Sequence, residues 1–150
     1  MIKSILVPVD GSTHANAAVD MAGEMAAKMG AKIILLHVIA RPGSSMMPEE
    51  LRSYAQLEHV RVTEQDLLQA AANEIVAKAE KRARARGAAK IELATKIGDP
   101  ARAIVSVAKD RDVDLIAMGR RGLGGLKGLL LGSVSHKVSQ LADRPCMTVA

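Results

Sequence analysis

VDLIAMGRRGLGGLKGLLLGSVSHKV, residues 113–138, joins an apolar run to a glycine-studded loop with three cations and then to an amphipathic segment. Val113 to Met118 reads as a buried strand. Gly119 marks a point where the backbone turns sharply or lies close to a ligand with no Cβ in the way, and Gly122 repeats that requirement. After Gly132-Ser133, apolar Val134, Val138 and Leu141 fall at i, i+4 and i+7, so the spacing predicts a helix over Ser133 to Leu141 with Ser133 near its cap. A helix start presents unpaired N–H groups and the positive end of a dipole. With Arg120, Arg121 and Lys127 nearby, the run has the parts of an anion site, and phosphate is the natural candidate.

Two familiar phosphate motifs are absent. No Gly-x4-Gly-Lys-Ser/Thr spacing occurs, and a dinucleotide fingerprint begun at Gly122 and Gly124 would need glycine where Lys127 stands. Gly124, Gly128 and Gly132 form overlapping GxxxG steps, but the apolar run around them is too short for a membrane span and contains Lys127.

Working outward, strands alternate with helices. Ser4 to Val9 is an apolar strand ending at Asp10-Gly11-Ser12, and Ser12 or Thr13 can cap the helix that follows. Ala18, Met21, Ala22, Met25, Ala26 and Met29 form a stripe at helical spacing, read as a core face, and Gly30 is the stop. Lys32 to Ile39 is a nearly continuous apolar strand, as expected for a parallel sheet covered on both faces; His37 within it reads as a satisfied strand-end histidine. Arg41 to Pro48 is a loop and the best candidate for local mobility. A long helical pattern from Glu49 to Gly87, with a break expected near Val60 to Thr63, carries Leu67, Leu68, Ala71, Ala72, Ile75, Val76 and Ala79 on one stripe. Lys90 to Ile97 alternates as a half-buried edge strand. Asp99 caps a helix with Pro100 at its first position, Ala101 to Lys109 continue it, and Cys146 to Val149 form a last strand.

This order indicates one domain over residues 1–150, an α/β doubly wound parallel sheet of five strands. Such sheets bind ligands where strand order reverses, so the strands ending at Asp10 and Gly119 should be neighbours.

Composition narrows the function. The 150 residues are 49% hydrophobic and 25% charged, with eight Met, one Tyr and no Phe or Trp. The net charge of +5 suits anionic partners. Single-stranded nucleic acid is usually held on aromatic platforms that this chain lacks, so nucleic acid is a weak alternative. The basic run Lys78 to Arg86 reads as a solvated helix face. A lone Cys146 leaves no disulfide framework and no multi-cysteine metal site, and with no signal-peptide pattern the expected compartment is the cytoplasm.

Gly119-x2-Gly122-x9-Gly132-Ser133, taken with PVDGS at Pro8 to Ser12 and LLHV at Leu35 to Val38, closely resembles the ATP-binding branch of the universal stress protein family. The resemblance runs from Ile2 to Ala150. It implies strand order 3-2-1-4-5 in an adenine-nucleotide alpha-hydrolase-like fold, and a homodimer formed through residues 146–149. It implies ATP as ligand, with Mg²⁺ or Mn²⁺ bridging the phosphates. Residue by residue, it places Asp10 on the ribose hydroxyls, Val38 beside adenine, and Gly119 and Gly122 against ribose and phosphates. Gly132, Ser133 and Val134 then offer N–H groups, with the Ser133 and Ser135 hydroxyls in reach; Pro8, Met118 and Arg120 complete the implied contact set. His136 stands where many members carry an acidic residue. A regulatory ATP-binding protein with slow or no hydrolysis fits best. The alternative is an adenine-nucleotide-dependent enzyme of the same fold group, whose HxGH, KMSKS and SGGxDS signatures are absent; a member that kept the fold and lost the nucleotide is a third possibility.

Overall fold

The computed structural model describes residues 1–40, 64–123 and 131–150. Its elements are β1 (Ser4–Pro8), α1 (Thr13–Met29), β2 (Lys32–Ile39), α2 (Glu64–Ala85), β3 (Lys90–Ile97), α3 (Pro100–Asp110), β4 (Leu115–Gly119), α4 (Ser133–Leu141) and β5 (Cys146–Val149). They build one parallel five-stranded sheet in the order β3-β2-β1-β4-β5. The reversal falls between β1 and β4, as the chemistry of their ends required.

Strand residues alternate between two cores, which is why the central strands read as unbroken apolar runs. Ile5, Val7, Ile33, Leu35, Leu115 and Ala117 face α1 and α2; Leu6, Ile34, Leu36, Ile116 and Met118 face α3 and α4. Both layers are aliphatic, with Ile5, Leu6, Ile33, Leu35, Leu36 and Ile116 fully buried.

The α1 methionines do not form the expected core face. Ala18, Ala22 and Ala26 make that row and are buried, whereas Met21 and Met29 are 44% and 45% exposed and Met25 is half-buried. The methionines lie on the adjoining i, i+4 row, about 60° around the helix, so the alanine ridge faces the sheet and the methionines fall toward its margin. Small residues also let α1 approach α2: a Cβ on Gly23 would lie 2.7 Å from the Arg86 Cβ. Across that contact Arg82 and Arg86 bind Asp20 at 2.7 and 3.0 Å. The basic run is therefore not simply solvated, because two of its arginines bridge helices.

On β3 the alternation predicts burial that the edge position denies. Ile91 packs on one core and Ala94 on the other, but Leu93 is 41% and Ile97 50% exposed. Thr95 to Ile97 pair with β2 beyond the last β1 partner, Pro8, where the sheet is only two strands wide. Ala71, placed on the α2 core stripe, is exposed as well. The expected loop Arg41 to Pro48 and the helical pattern before Glu64 lie outside the described residues, as does Lys127.

At the end of the sheet away from the ligand-like residues, Asp114 ties β4 to β1. Its carboxylate accepts from the Lys3 N–H (2.7 Å), the Ser4 N–H (3.0 Å) and the Ser4 hydroxyl (3.2 Å). The Lys3 and Ser4 amides hold its pKa below the ordinary carboxylate value. At Asp20, burial pushes the carboxyl up, and the Arg82 and Arg86 guanidiniums outweigh it and bring it down. A carboxyl depressed in the folded state stabilises the fold above its unfolded pKa of about 4, and that stability is lost as pH falls through the folded value. Tm should therefore hold near neutrality and fall below about pH 4. Asp114→Asn should make the acid limb shallower; a Tm–pH curve merely parallel to that of the parent below pH 4 would refute the assignment.

Candidate functional site

The site forms where β1 and β4 part. β1 stops at Pro8, and the chain turns through Gly11 at φ +81°, a left-handed conformation that suits glycine. Asp10 and Ser12 fix this turn, the Ser12 N–H donating to Asp10 Oδ1 at 2.9 Å. Ser12 then caps α1, accepting from the Ala15 N–H at 3.3 Å. Oδ1 is thus committed to the turn. Oδ2 faces the glycine loop, since a Cβ on Gly122 would lie 2.6 Å from it.

β2 runs past the end of β1 and supplies a second wall. Leu36 O accepts from Val9 N at 2.8 Å, so Leu36 directs its backbone groups toward β1, and Val38, two residues on, directs its own the same way. β1 has ended by then, so among the described residues no strand meets the Val38 N–H and C=O on that side. His37 is satisfied as expected: its Nδ1–H donates to the Val9 carbonyl at 2.7 Å.

The third wall is the glycine loop and the start of α4. Gly132 is the N-cap at φ −71° and makes no side-chain cap bond. The first helical bond runs from the His136 N–H to Gly132 O (3.0 Å), so the N–H groups of Ser133, Val134 and Ser135 precede the hydrogen-bond ladder. No acidic residue occupies this first turn.

Together these walls enclose a cavity of about 320 Å³. Of the residues expected there, Pro8, Asp10, Val38, Met118, Gly119, Gly122, Gly132, Ser133, Val134 and Ser135 all line it. Arg120 does not; Arg121 takes the lining position, and the Nε atoms of both arginines are buried with no hydrogen-bond partner among the described residues. The sequence offered two adjacent arginines, and only the direction of the chain after β4 separates them. Pro100 and Ile104 of α3 also line the cavity, a contribution sequence reading missed because they lie in a different βα unit.

The glycines serve neighbouring protein atoms. A Cβ on Gly119 would lie 2.6 Å from both Ala15 N and His14 C, so this residue lets β4 meet the first turn of α1. A Cβ on Gly132 would lie 3.3 Å from the Arg121 Cα. Ser135 is 4% exposed, and its hydroxyl faces Arg120 O at 2.9 Å and Gly132 O at 3.1 Å. Ser133 and His136 are exposed. Among the described residues no cluster of three or more His, Cys, Asp or Glu could hold a metal ion, and no helix is long and apolar enough to cross a membrane.

Residues 1–150, the whole chain, match the model of the universal stress protein family. The chain belongs to that family. A relative in Bacillus subtilis, universal stress protein YxiE, is 33% identical over 99% of both chains. Among solved structures, protein MJ0577 of Methanocaldococcus jannaschii superposes with a TM-score of 0.75 at 31% identity, covering 99% of this chain and 96% of that one. Another universal stress protein, solved in complex with cAMP, matches with a TM-score of 0.69 at 29% identity over 99% and 97% of the two chains. The five-stranded architecture of this universal stress protein is thus that of its relatives.

Proposed function

We propose that this universal stress protein is a regulatory ATP-binding protein of the stress response, holding the nucleotide between the ends of β1 and β4. The observation that carries the reading is one cavity lined by the Asp10 carboxylate, the Arg121 side chain and the unladdered N–H groups of Ser133 and Val134. Asp10 Oδ2 suits a ribose hydroxyl, since a carboxylate accepts hydrogen bonds and repels phosphate. The free backbone groups of Val38 suit the edge of adenine, and Arg121 with the α4 start suits phosphate oxygens. The cAMP complex of a relative supports an adenine nucleotide in this fold. Mg²⁺ or Mn²⁺ fits this donor set as an ion carried in on the phosphates, because Asp10 is the one carboxylate among the described lining residues.

Denaturing the purified protein and analysing the released small molecules by mass spectrometry should yield ATP, and calorimetry on the stripped protein should show it rebinding. Failure of the stripped protein to bind any adenine nucleotide would overturn the reading. Hydrolysis is expected to be slow, because rapid turnover needs a group that orients the attacking water and none of the described lining residues supplies it in a fitting motif. A measured rate on the order of 10 per second would move the protein to the enzyme class.

The functional unit is proposed to be a homodimer paired through β5. Among the described residues this strand pairs only with β4, and none of its residues, Cys146–Val149, is charged. Two copies can pair antiparallel about a two-fold axis and cover that edge. Cys146 is half-buried there, and burial pushes its thiol pKa up, which suits a packing role. Sedimentation at micromolar concentration should show a dimer. A purely monomeric species would refute the interface, and a dimer surviving disruption of residues 146–149 would relocate it.

A further inference from the structure

We propose that Ser135 is a positioning residue for the phosphate end of the site, its hydroxyl acting through the Arg120 carbonyl and making no bond to the nucleotide itself. The proposal rests on the nucleotide reading above and specifies how one part of that site is held.

A hydroxyl has one hydrogen. In Ser135 that hydrogen has two acceptors in range, Arg120 O at 2.9 Å and Gly132 O at 3.1 Å, and both are carbonyls. A phosphate oxygen is also only an acceptor, so a direct bond from Ser135 to phosphate would need the same hydrogen. The side chain is 4% exposed, and redirecting it would forfeit a bond already made out of water.

The Arg120 peptide is held on both sides. Its N–H donates to Val149 O at 2.6 Å, and its carbonyl accepts from the Gly132 N–H at 2.8 Å as well as from Ser135. This one unit therefore joins the end of β5, the glycine loop and the cap of α4. Arg121, the next residue, lines the cavity, and its Cα lies against Gly132. Fixing the Arg120 carbonyl sets the path of the chain into Arg121 and the distance from the Arg121 side chain to the α4 amides. One carbonyl contact comes from the N-cap, Gly132, and the other from Ser135, which reaches across from inside the helix and ties its first turn to the loop.

The consequence is selective: phosphate recognition depends on Ser135, whereas contacts at Asp10 and Val38, on other strands, do not. The test compares parent and Ser135→Ala for binding of ATP and of adenosine by calorimetry, and for exchange of the Gly132 amide by NMR without nucleotide. Expected for the variant are roughly tenfold weaker ATP binding, adenosine affinity within about twofold of the parent, and about tenfold faster Gly132 exchange. Weaker ATP binding with unchanged Gly132 exchange would make Ser135 a direct ligand and overturn the proposal. So would parallel loss of ATP and adenosine, which marks a general structural role, or no change in either. If the parent binds no adenine nucleotide, the underlying reading fails first, visibly in the parent titration, and the proposal falls with it. Should the alanine variant not fold, Ser135→Cys keeps the volume with a far weaker donor and carries the same comparison.

Discussion

Gly119→Ala should lower Tm by roughly 2–12 °C in protein stripped of nucleotide. The new Cβ would lie 2.6 Å from Ala15 N and from His14 C, and both are backbone atoms of the first turn of α1. A flexible side chain could swing away, but a helix turn whose cap is fixed by Ser12 and whose next residues are buried under the sheet has nowhere to go. Overpacking of this kind costs about 1–3 kcal/mol and occasionally more. Each kcal/mol is worth about 2–4 °C in a domain of this size. Gly132→Ala is the comparison: its φ of −71° suits any residue and its nearest contact is 3.3 Å, so it should melt closer to the parent. Calorimetric melts of the three proteins decide the point, and a Gly119→Ala melt indistinguishable from the parent would mean that this glycine serves the ligand and not the helix.

Asp10→Asn should weaken ATP binding by about 10- to 100-fold with little change in Tm. The substitution is selective because the carboxylate divides its work. Oδ1 accepts from the Ser12 N–H and holds the turn, and the amide oxygen of asparagine can do the same. Oδ2 becomes an NH₂, which cannot accept from a ribose hydroxyl. Hydrogen bonds to charged groups are worth about 1.5–3 kcal/mol, hence the expected range. Titration with ATP and with its 2′,3′-dideoxy analogue gives the check: the parent should discriminate strongly and the variant weakly. Equal discrimination by both would remove Asp10 from the ribose.

Strand and helix positions were legible because local chemistry and burial agree over most of the chain. Asp99-Pro100 and Gly30 cap where such residues cap, and β2, β3, α4 and β5 begin and end where their patterns do. Strand order came from the family resemblance, with the adjacency of β1 and β4 also readable from the chemistry at their ends. Sidedness was less legible. The α1 stripe merged two neighbouring rows, and only packing on the sheet shows that the alanines lie inside and Met21 and Met29 outside. On β3 a period of two could not tell that the strand's far end runs with β2 beyond the reach of β1, where Ile97 has little cover. At the site, residue types and spacing pointed to the right loops, but the choice between Arg120 and Arg121 depends on backbone direction, and the wall from Pro100 and Ile104 depends on tertiary packing.

The close fit of Gly119 against α1 bears on how this loop would drift over generations. Gly119 is required by protein atoms, so a descendant that had stopped binding its ligand would remain under the same steric constraint and keep that glycine. The positions released from selection would be those whose chemistry lies on the cavity, namely the guanidinium of Arg121, the hydroxyl of exposed Ser133 and the second oxygen of Asp10. In any lineage carrying this loop, those three groups are the ones whose loss would date the end of binding.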